Sequence, residues 1–183
     1  MKGRFVMIIG PSAAGKTELV KALLARVPGS ARLVTMTTRP QRPGELEGVD
    51  YHFVDRAEFE RRIAAGDLLE HAEVYGNLYG QSKEVLESSL LAHPYVFGII
   101  DVKGAKALKA IMPEALAIFI DPGSLEDLSA RLRTIRAGIS EAELEKRLAT
   151  AAEEMASAAA FDAIIQNAPG RFEETIEQAI RLL

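Results

Sequence analysis

The residues best equipped for chemistry come early. Gly10-Pro11-Ser12-Ala13-Ala14-Gly15-Lys16-Thr17 matches the pattern G-x-x-x-x-G-K-Ser/Thr. Each fixed position has a physical use. The glycines let the backbone turn tightly and approach phosphate oxygens. Successive backbone N–H groups then point at one anion, aided by the N-terminus of the following helix. Lys16 is a cation able to follow a moving phosphoryl group, and the Thr17 hydroxyl is a ligand for Mg²⁺. The motif follows the apolar run Phe5-Val6-Met7-Ile8-Ile9 and opens a helix-like stretch from Lys16 to Arg26, the context its mechanism requires.

A second group lies downstream. Arg39 and Arg42, three apart, offer two guanidinium forks to one phosphate. A phosphate monoester carries about two negative charges near neutral pH. Tyr51 and Tyr79 add hydroxyl donors for the same oxygens. Glu70 is a carboxylate that can accept the paired N1–H and N2–H donors of guanine; adenine lacks that pair. A short basic stretch, Arg133 to Ser140 with Gly138 inside it, reads as a mobile lid between two helices. Taken singly, each of these residues suits an ordinary surface or packing role. In this order and at these spacings they suit one site.

Thr37-Thr38-Arg39-Pro40-Gln41-Arg42-Pro43-Gly44-Glu45, then Gly48-Val49-Asp50-Tyr51-His52-Phe53, resembles the guanylate kinase family. Leu69-Glu70 and Tyr75-Gly76-Asn77-Leu78-Tyr79-Gly80 extend the resemblance over nearly the whole chain. It implies an α/β fold of the P-loop NTPase type: a five-stranded parallel sheet with helices on both faces, an inserted acceptor-binding subdomain and a lid. It implies the reaction ATP + GMP ⇌ ADP + GDP with Mg²⁺, the partners being ATP and GMP (or dGMP). Donor binding then falls to Gly10 through Thr17, with Arg131 and Asn167 near the donor nucleotide and Thr17 on the metal. Thr35, Arg39, Arg42, Tyr51, Glu70, Tyr79 and Asp101 would hold the acceptor. Lys16, Arg136 and Arg147 would be catalytic, offsetting the charge of two converging polyanions. No general base is required, because the acceptor phosphate is already an anionic nucleophile.

Four positions depart from the family pattern. Ile99 stands where an acid is usual, Lys103 where glutamine is usual, and Gln81 where a small hydroxyl residue is usual; the lid reads Arg136-Ala137-Gly138. Two other readings stay open on sequence: a related kinase with another phosphorylated acceptor, such as a ribose phosphate, and a non-catalytic binding module of the same fold.

The elements that must position these residues alternate along the chain. Strand patterns fall at Phe5 to Ile9, Arg32 to Met36, Tyr95 to Ile100, Ala115 to Ile120 and Asp162 to Gln166. Helical patterns fall at Gly104 to Met112, after Ser124, from Glu141 to Ala159 and from Arg171 to Leu183. Alternating strands and helices predict a parallel sheet covered on both faces. Residues 37–82 are too long for a loop, so they predict an inserted subdomain with a helix near Arg56 to Ala65. The expected division is a core of about 1–36, 83–132 and 141–183, an acceptor subdomain of about 37–82 and a lid of about 133–140.

Composition narrows the function classes. The 183 residues suit one domain of this kind, large enough to bury a core without metals or disulfides. Cysteine is absent, which excludes thiol catalysis and Cys-based zinc sites. His52, His71 and His93 are scattered without ligand spacing. A net charge of -4 argues against a nucleic-acid polymer as partner. The short apolar run after Met1 is no signal peptide or membrane span, and a cytoplasmic location is the expectation.

Overall fold

The computed structural model describes residues 3–183; Met1 and Lys2, which the expected core included, lie outside them. The chain begins β1 (Arg4–Ile9), α1 (Lys16–Arg26), β2 (Ala31–Arg32), β3 (Thr35–Thr37), β4 (Tyr51–Phe53) and α2 (Arg56–Ala65). It continues β5 (Leu68–Val74), β6 (Asn77–Ser82), α3 (Lys83–Ala92), β7 (Tyr95–Ile99) and α4 (Val102–Ile111). It ends β8 (Leu116–Asp121), α5 (Leu125–Ile135), α6 (Glu141–Ala156), β9 (Ala163–Gln166) and α7 (Phe172–Arg181).

The main sheet has the order β2-β7-β1-β8-β9, and all its pairings are parallel. Strand alternation divides the apolar runs between two cores. Phe5, Met7 and Ile9 enter one core while Val6 and Ile8 enter the other. On β8, Ala117 and Phe119 take the first side and Leu116, Ile118 and Ile120 the second. Helices α3 and α4 cover the first face through Leu86, Leu90, Ala105 and Leu108. Helices α1 and α7 cover the second through Leu19, Leu23, Ile176 and Ala179. Burial on both faces is why the strands read as unbroken apolar runs. The expected fold class is the observed one.

A second sheet, in the order β4-β3-β6-β5, projects from the C-terminal side of the first. Helix α2 packs on it through Phe59, which joins Met36, Leu68 and Leu78 in a separate small core. Helices α5 and α6 pack on each other through Leu128, Leu132, Leu144 and Ala151. Among the described residues no helix is long and apolar enough to cross a membrane.

Three local expectations need correction. The run Arg32 to Met36 is not one strand. Leu33 is anchored in the main core and Met36 in the small one, so the chain turns between β2 and β3 to serve two sheets. The second sheet therefore starts at Thr35, ahead of the expected boundary at 37. The expected lid, 133–140, is partly helical: burial of Leu132 carries α5 on to Ile135, leaving a loop at 136–140. A paired contact of Arg133 with Glu141, 2.7 Å for both bonds, braces that loop at the surface. Finally, α3 went unread in the sequence; Ser82 caps it by accepting from the Val85 N–H.

Candidate active site

The phosphate loop spans the end of β1, the central strand, and the start of α1. This is the place where an open parallel sheet leaves a crevice beyond its strand ends. Gly15 caps α1 in the left-handed region, with φ 95°. A Cβ there would lie 2.4 Å from the Asn167 amide nitrogen, so a side chain is excluded on two counts. That amide donates to the Ala14 carbonyl at 2.8 Å, while its oxygen meets the Thr175 hydroxyl at 3.2 Å. Asn167 is 6% exposed and thus buttresses the loop from behind.

Lys16 is half-buried, but its amine folds inward and donates to the carbonyls of Gly10 and Pro11. Desolvation lowers its pKa to about 8; the nearby carboxylates of Glu154 and Asp101 oppose that fall. In front of the loop lies a cleft of about 360 Å³. The structure gathers Gly10, Ser12, Lys16, Thr35, Arg39, Arg42, Tyr51, Glu70, Tyr79, Asp101, Arg136 and Arg147 around it. These residues come from four separate parts of the chain: the phosphate loop, the second sheet with its β3–β4 loop, the β7–α4 junction that carries Asp101, and α6 with its preceding loop.

The second sheet supplies the far wall. Arg39 is held rather than free. Its guanidinium donates to Glu45 at 2.7 Å and to the Pro40 carbonyl at 2.7 Å, and lies 5.1 Å from the Tyr51 ring centroid. Tyr51 meets Tyr79 edge to face at 6.2 Å. The side chains of Arg42 and Arg136 have no hydrogen-bond or ion-pair partner among the described residues. Burial lowers the Arg136 pKa, and repulsion from Arg147 and Arg42 adds to the fall. Three like charges held near one another are costly unless an anion joins them.

The most telling group is at the base of that wall. Glu70 and Gln81 are cross-strand partners on β5 and β6, so their side chains stand together. Gln81 is 1% exposed and donates from its amide to the Thr35 hydroxyl at 2.7 Å. That bond commits the amide nitrogen and leaves the carbonyl oxygen for another partner. Among the described residues, the Gln81 Oε1 and Glu70 Oε2 atoms are the two buried side-chain polar atoms without a partner. Burial drives the Glu70 pKa up to about 8, and the charge of Asp101 adds to the rise. Gly104 explains how the carboxyl is enclosed: a Cβ at that point of α4 would lie 2.5 Å from it. Two buried oxygens left unpartnered on cross-strand neighbours suit a ligand edge with two N–H donors, once Glu70 is ionised.

Some expected residues lie elsewhere. Arg131 donates to the Asn167 carbonyl and lines a separate shallow hollow with Asp127, Thr134 and Pro169. Pro11, Ala13, Ala14, Gly15 and Thr17 contribute loop and helix backbone outside the cleft lining. The sequence reading missed Tyr75, Asn77, Thr150 and Glu154, which also face the cleft. Helical spacing carries a signal for two of these, since Arg147, Thr150 and Glu154 are three and four residues apart on one face of α6. Glu154 supplies a carboxylate near Lys16, where Ile99 provides none. Its pKa is raised by burial and lowered by Lys16.

The guanylate kinase family model matches residues 2–183. A guanylate kinase of Symbiobacterium thermophilum is 43% identical over 166 residues, which is 91% of this chain and 78% of that protein. One from Mycobacterium bovis is 40% identical over 184 residues, 99% of this chain and 86% of that protein. The crystal structure of guanylate kinase from Anaplasma phagocytophilum superposes with a TM-score of 0.79 at 32% identity. That match covers 99% of this chain and 84% of the other.

Proposed function

This chain belongs to the guanylate kinase family and is a nucleoside monophosphate kinase, a phosphotransferase, and from that premise we propose how its cleft works. ATP is the donor and GMP, or dGMP, the acceptor. One observation carries the choice of base: the unpartnered Glu70 and Gln81 oxygens, on cross-strand partners that line the same cleft as Lys16. Guanine offers N1–H and a 2-amino group on one edge. Glu70 accepts from both, and the Gln81 oxygen accepts the remaining hydrogen of the 2-amino group. Thr35 fixes the Gln81 amide in that orientation.

The acceptor phosphate lies between Arg39, Arg42, Tyr51 and Tyr79, with Asp101 on the acceptor side. The backbone of Gly10 to Thr17 receives the donor phosphates. Lys16 leaves the Gly10 and Pro11 carbonyls for the γ-phosphate, an exchange of neutral acceptors for an anionic one. Arg136 and Arg147 approach from the lid and α6 to offset the charge on the transferring group. Arg131 and Asn167, bonded to each other and through Asn167 to the Ala14 carbonyl, are assigned to the donor nucleotide.

The residues fit Mg²⁺ carried in with the nucleotide. No group of three or more His, Cys, Asp or Glu forms a metal cage among the described residues. Thr17, exposed on the first turn of α1, offers one hard oxygen, and Mg²⁺ characteristically takes its other ligands from phosphates and water. Thr17 would hold the ion, which would supply positive charge to offset that of the donor phosphates.

The test is ADP release with GMP, dGMP, IMP, AMP, CMP and UMP as acceptors. GMP and dGMP should turn over best, with AMP lower by at least two orders of magnitude. Comparable rates with AMP would reject the assignment of Glu70.

A further inference from the structure

We propose that Tyr75, at the tip of the β5–β6 hairpin, is a positioning residue that holds the Arg147 guanidinium in the cleft and ties its placement to the acceptor-binding sheet. The inference rests on the reading of Arg147 as a cation of the transition state.

The backbone gives the first observation. β5 and β6 are joined by the two-residue turn Tyr75-Gly76, with Val74 paired to Asn77. Tyr75 has φ 49° and Gly76 φ 79°. Both central residues are thus left-handed, the turn form that favours Asn, Asp or Gly at its first position. Among the described residues only Ala13, inside the phosphate loop, shares a positive φ without being glycine. A bulky aromatic is disfavoured in this conformation. Its own burial does not account for it, since Tyr75 is 39% exposed.

The side chain gives the second. The Arg147 guanidinium carbon lies 4.4 Å from the Tyr75 ring centroid, within cation–π range. Glu143 accepts from Arg147 Nε at 2.9 Å and from Nη2 at 2.6 Å. Glu143 and Arg147 belong to one helix, four residues apart, so that ion pair exists wherever the second sheet stands. The ring comes from the second sheet. Arg147 is therefore clamped from both sides only when the hairpin tip lies on α6. Tyr75 and Arg147 also both line the cleft, alongside Arg136. Strain retained at a turn is explained by what the side chain does there.

The experiment compares Tyr75→Phe, Tyr75→Asn, Arg147→Ala and the Tyr75→Asn/Arg147→Ala double variant, in ATP–GMP turnover and thermal unfolding. Tyr75→Phe keeps the ring and should keep kcat within about twofold. Tyr75→Asn should lower kcat about tenfold with the ATP KM nearly unchanged. Asn suits the turn, so the Tm of that variant should equal or exceed the parent's. In the Arg147→Ala background, Tyr75→Asn should add less than a twofold loss, because the tyrosine acts through the arginine. A purely structural tyrosine would instead lose Tm and kcat together. Parental kcat in Tyr75→Asn, an equal loss in Tyr75→Phe, or multiplying losses in the double variant would each overturn the proposal. Full turnover in Arg147→Ala would remove the catalytic reading of Arg147 itself, and the proposal with it. That result is distinct from one in which Arg147 matters and Tyr75 does not.

Discussion

Glu70 should make nucleotide binding release a proton. Its carboxyl is buried with one oxygen unpartnered, and its pKa lies at about 8. At pH 7 a group with that pKa is about 0.9 protonated. The guanine edge presents donors, which only the ionised carboxylate can accept on both oxygens. Binding GMP should therefore expel about 0.9 proton from Glu70 at pH 7, falling toward zero by pH 10. Calorimetric titration of GMP in buffers of different ionisation enthalpy measures this. The phosphate of GMP contributes its own proton exchange, so the informative quantity is the difference between the parent and Glu70→Gln. The free protein should show the same group in its stability. A carboxyl raised in the native state costs stability as pH climbs from the unfolded value near 4.5, and the cost levels off above about 8. At about 1.4 kcal/mol per pH unit, the full penalty is about 5 kcal/mol. Glu70→Gln has no charge to bury, so its Tm relative to the parent should rise between pH 5 and pH 9. Equal proton release in parent and variant, together with a Tm difference independent of pH, would refute the reasoning.

Further outcomes follow from neighbouring groups. The Lys16 amine loses its proton as pH rises through about 8, so kcat/KM for ATP should fall above that pH. Glu154→Gln removes a charge that supports the protonated amine, and should move the fall to lower pH; an unmoved alkaline limb would dismiss that role. Lys16→Ala should cut turnover by orders of magnitude while GMP affinity in calorimetry survives. IMP lacks the 2-amino group, so Gln81→Leu should reduce the GMP:IMP ratio of kcat/KM about tenfold, and an unchanged ratio would exclude Gln81 from base reading. Asn167→Ala frees the Ala14 carbonyl and should raise the KM for ATP with the KM for GMP unaltered, since the amide bonds the phosphate loop and Thr175 and no residue of the acceptor wall.

How much could be read before the fold was known depends on whether a residue's role is local. The phosphate loop was legible because its chemistry is backbone chemistry within eight consecutive residues, framed by a strand and a helix. The strands β1, β7 and β8 were legible because burial on both faces leaves unbroken apolar runs such as Phe5 to Ile9. The boundary at Leu33 to Met36 was not, because a run of apolar and hydroxyl residues looks the same whether it feeds one core or two. Arg39, Arg42 and Glu70 could be named from motif resemblance, but not the pairing of Glu70 with Gln81. That pairing is set by a register shift between Leu68 and Glu70, which no local pattern announces. Tyr75 was hidden for a related reason. In sequence it is one aromatic before a glycine, and its partner Arg147 is on a helix more than seventy residues away. What exposes it is the conflict between residue type and backbone conformation, visible only once φ is known. Gln81 argues the same way from the opposite side. As a departure from the family's small hydroxyl residue it reads as a loss, yet in place it presents a buried acceptor where a donor-rich base edge is expected. A substitution at a ligand-facing position is therefore judged by the hydrogen-bond inventory it leaves, and here that inventory still calls for guanine.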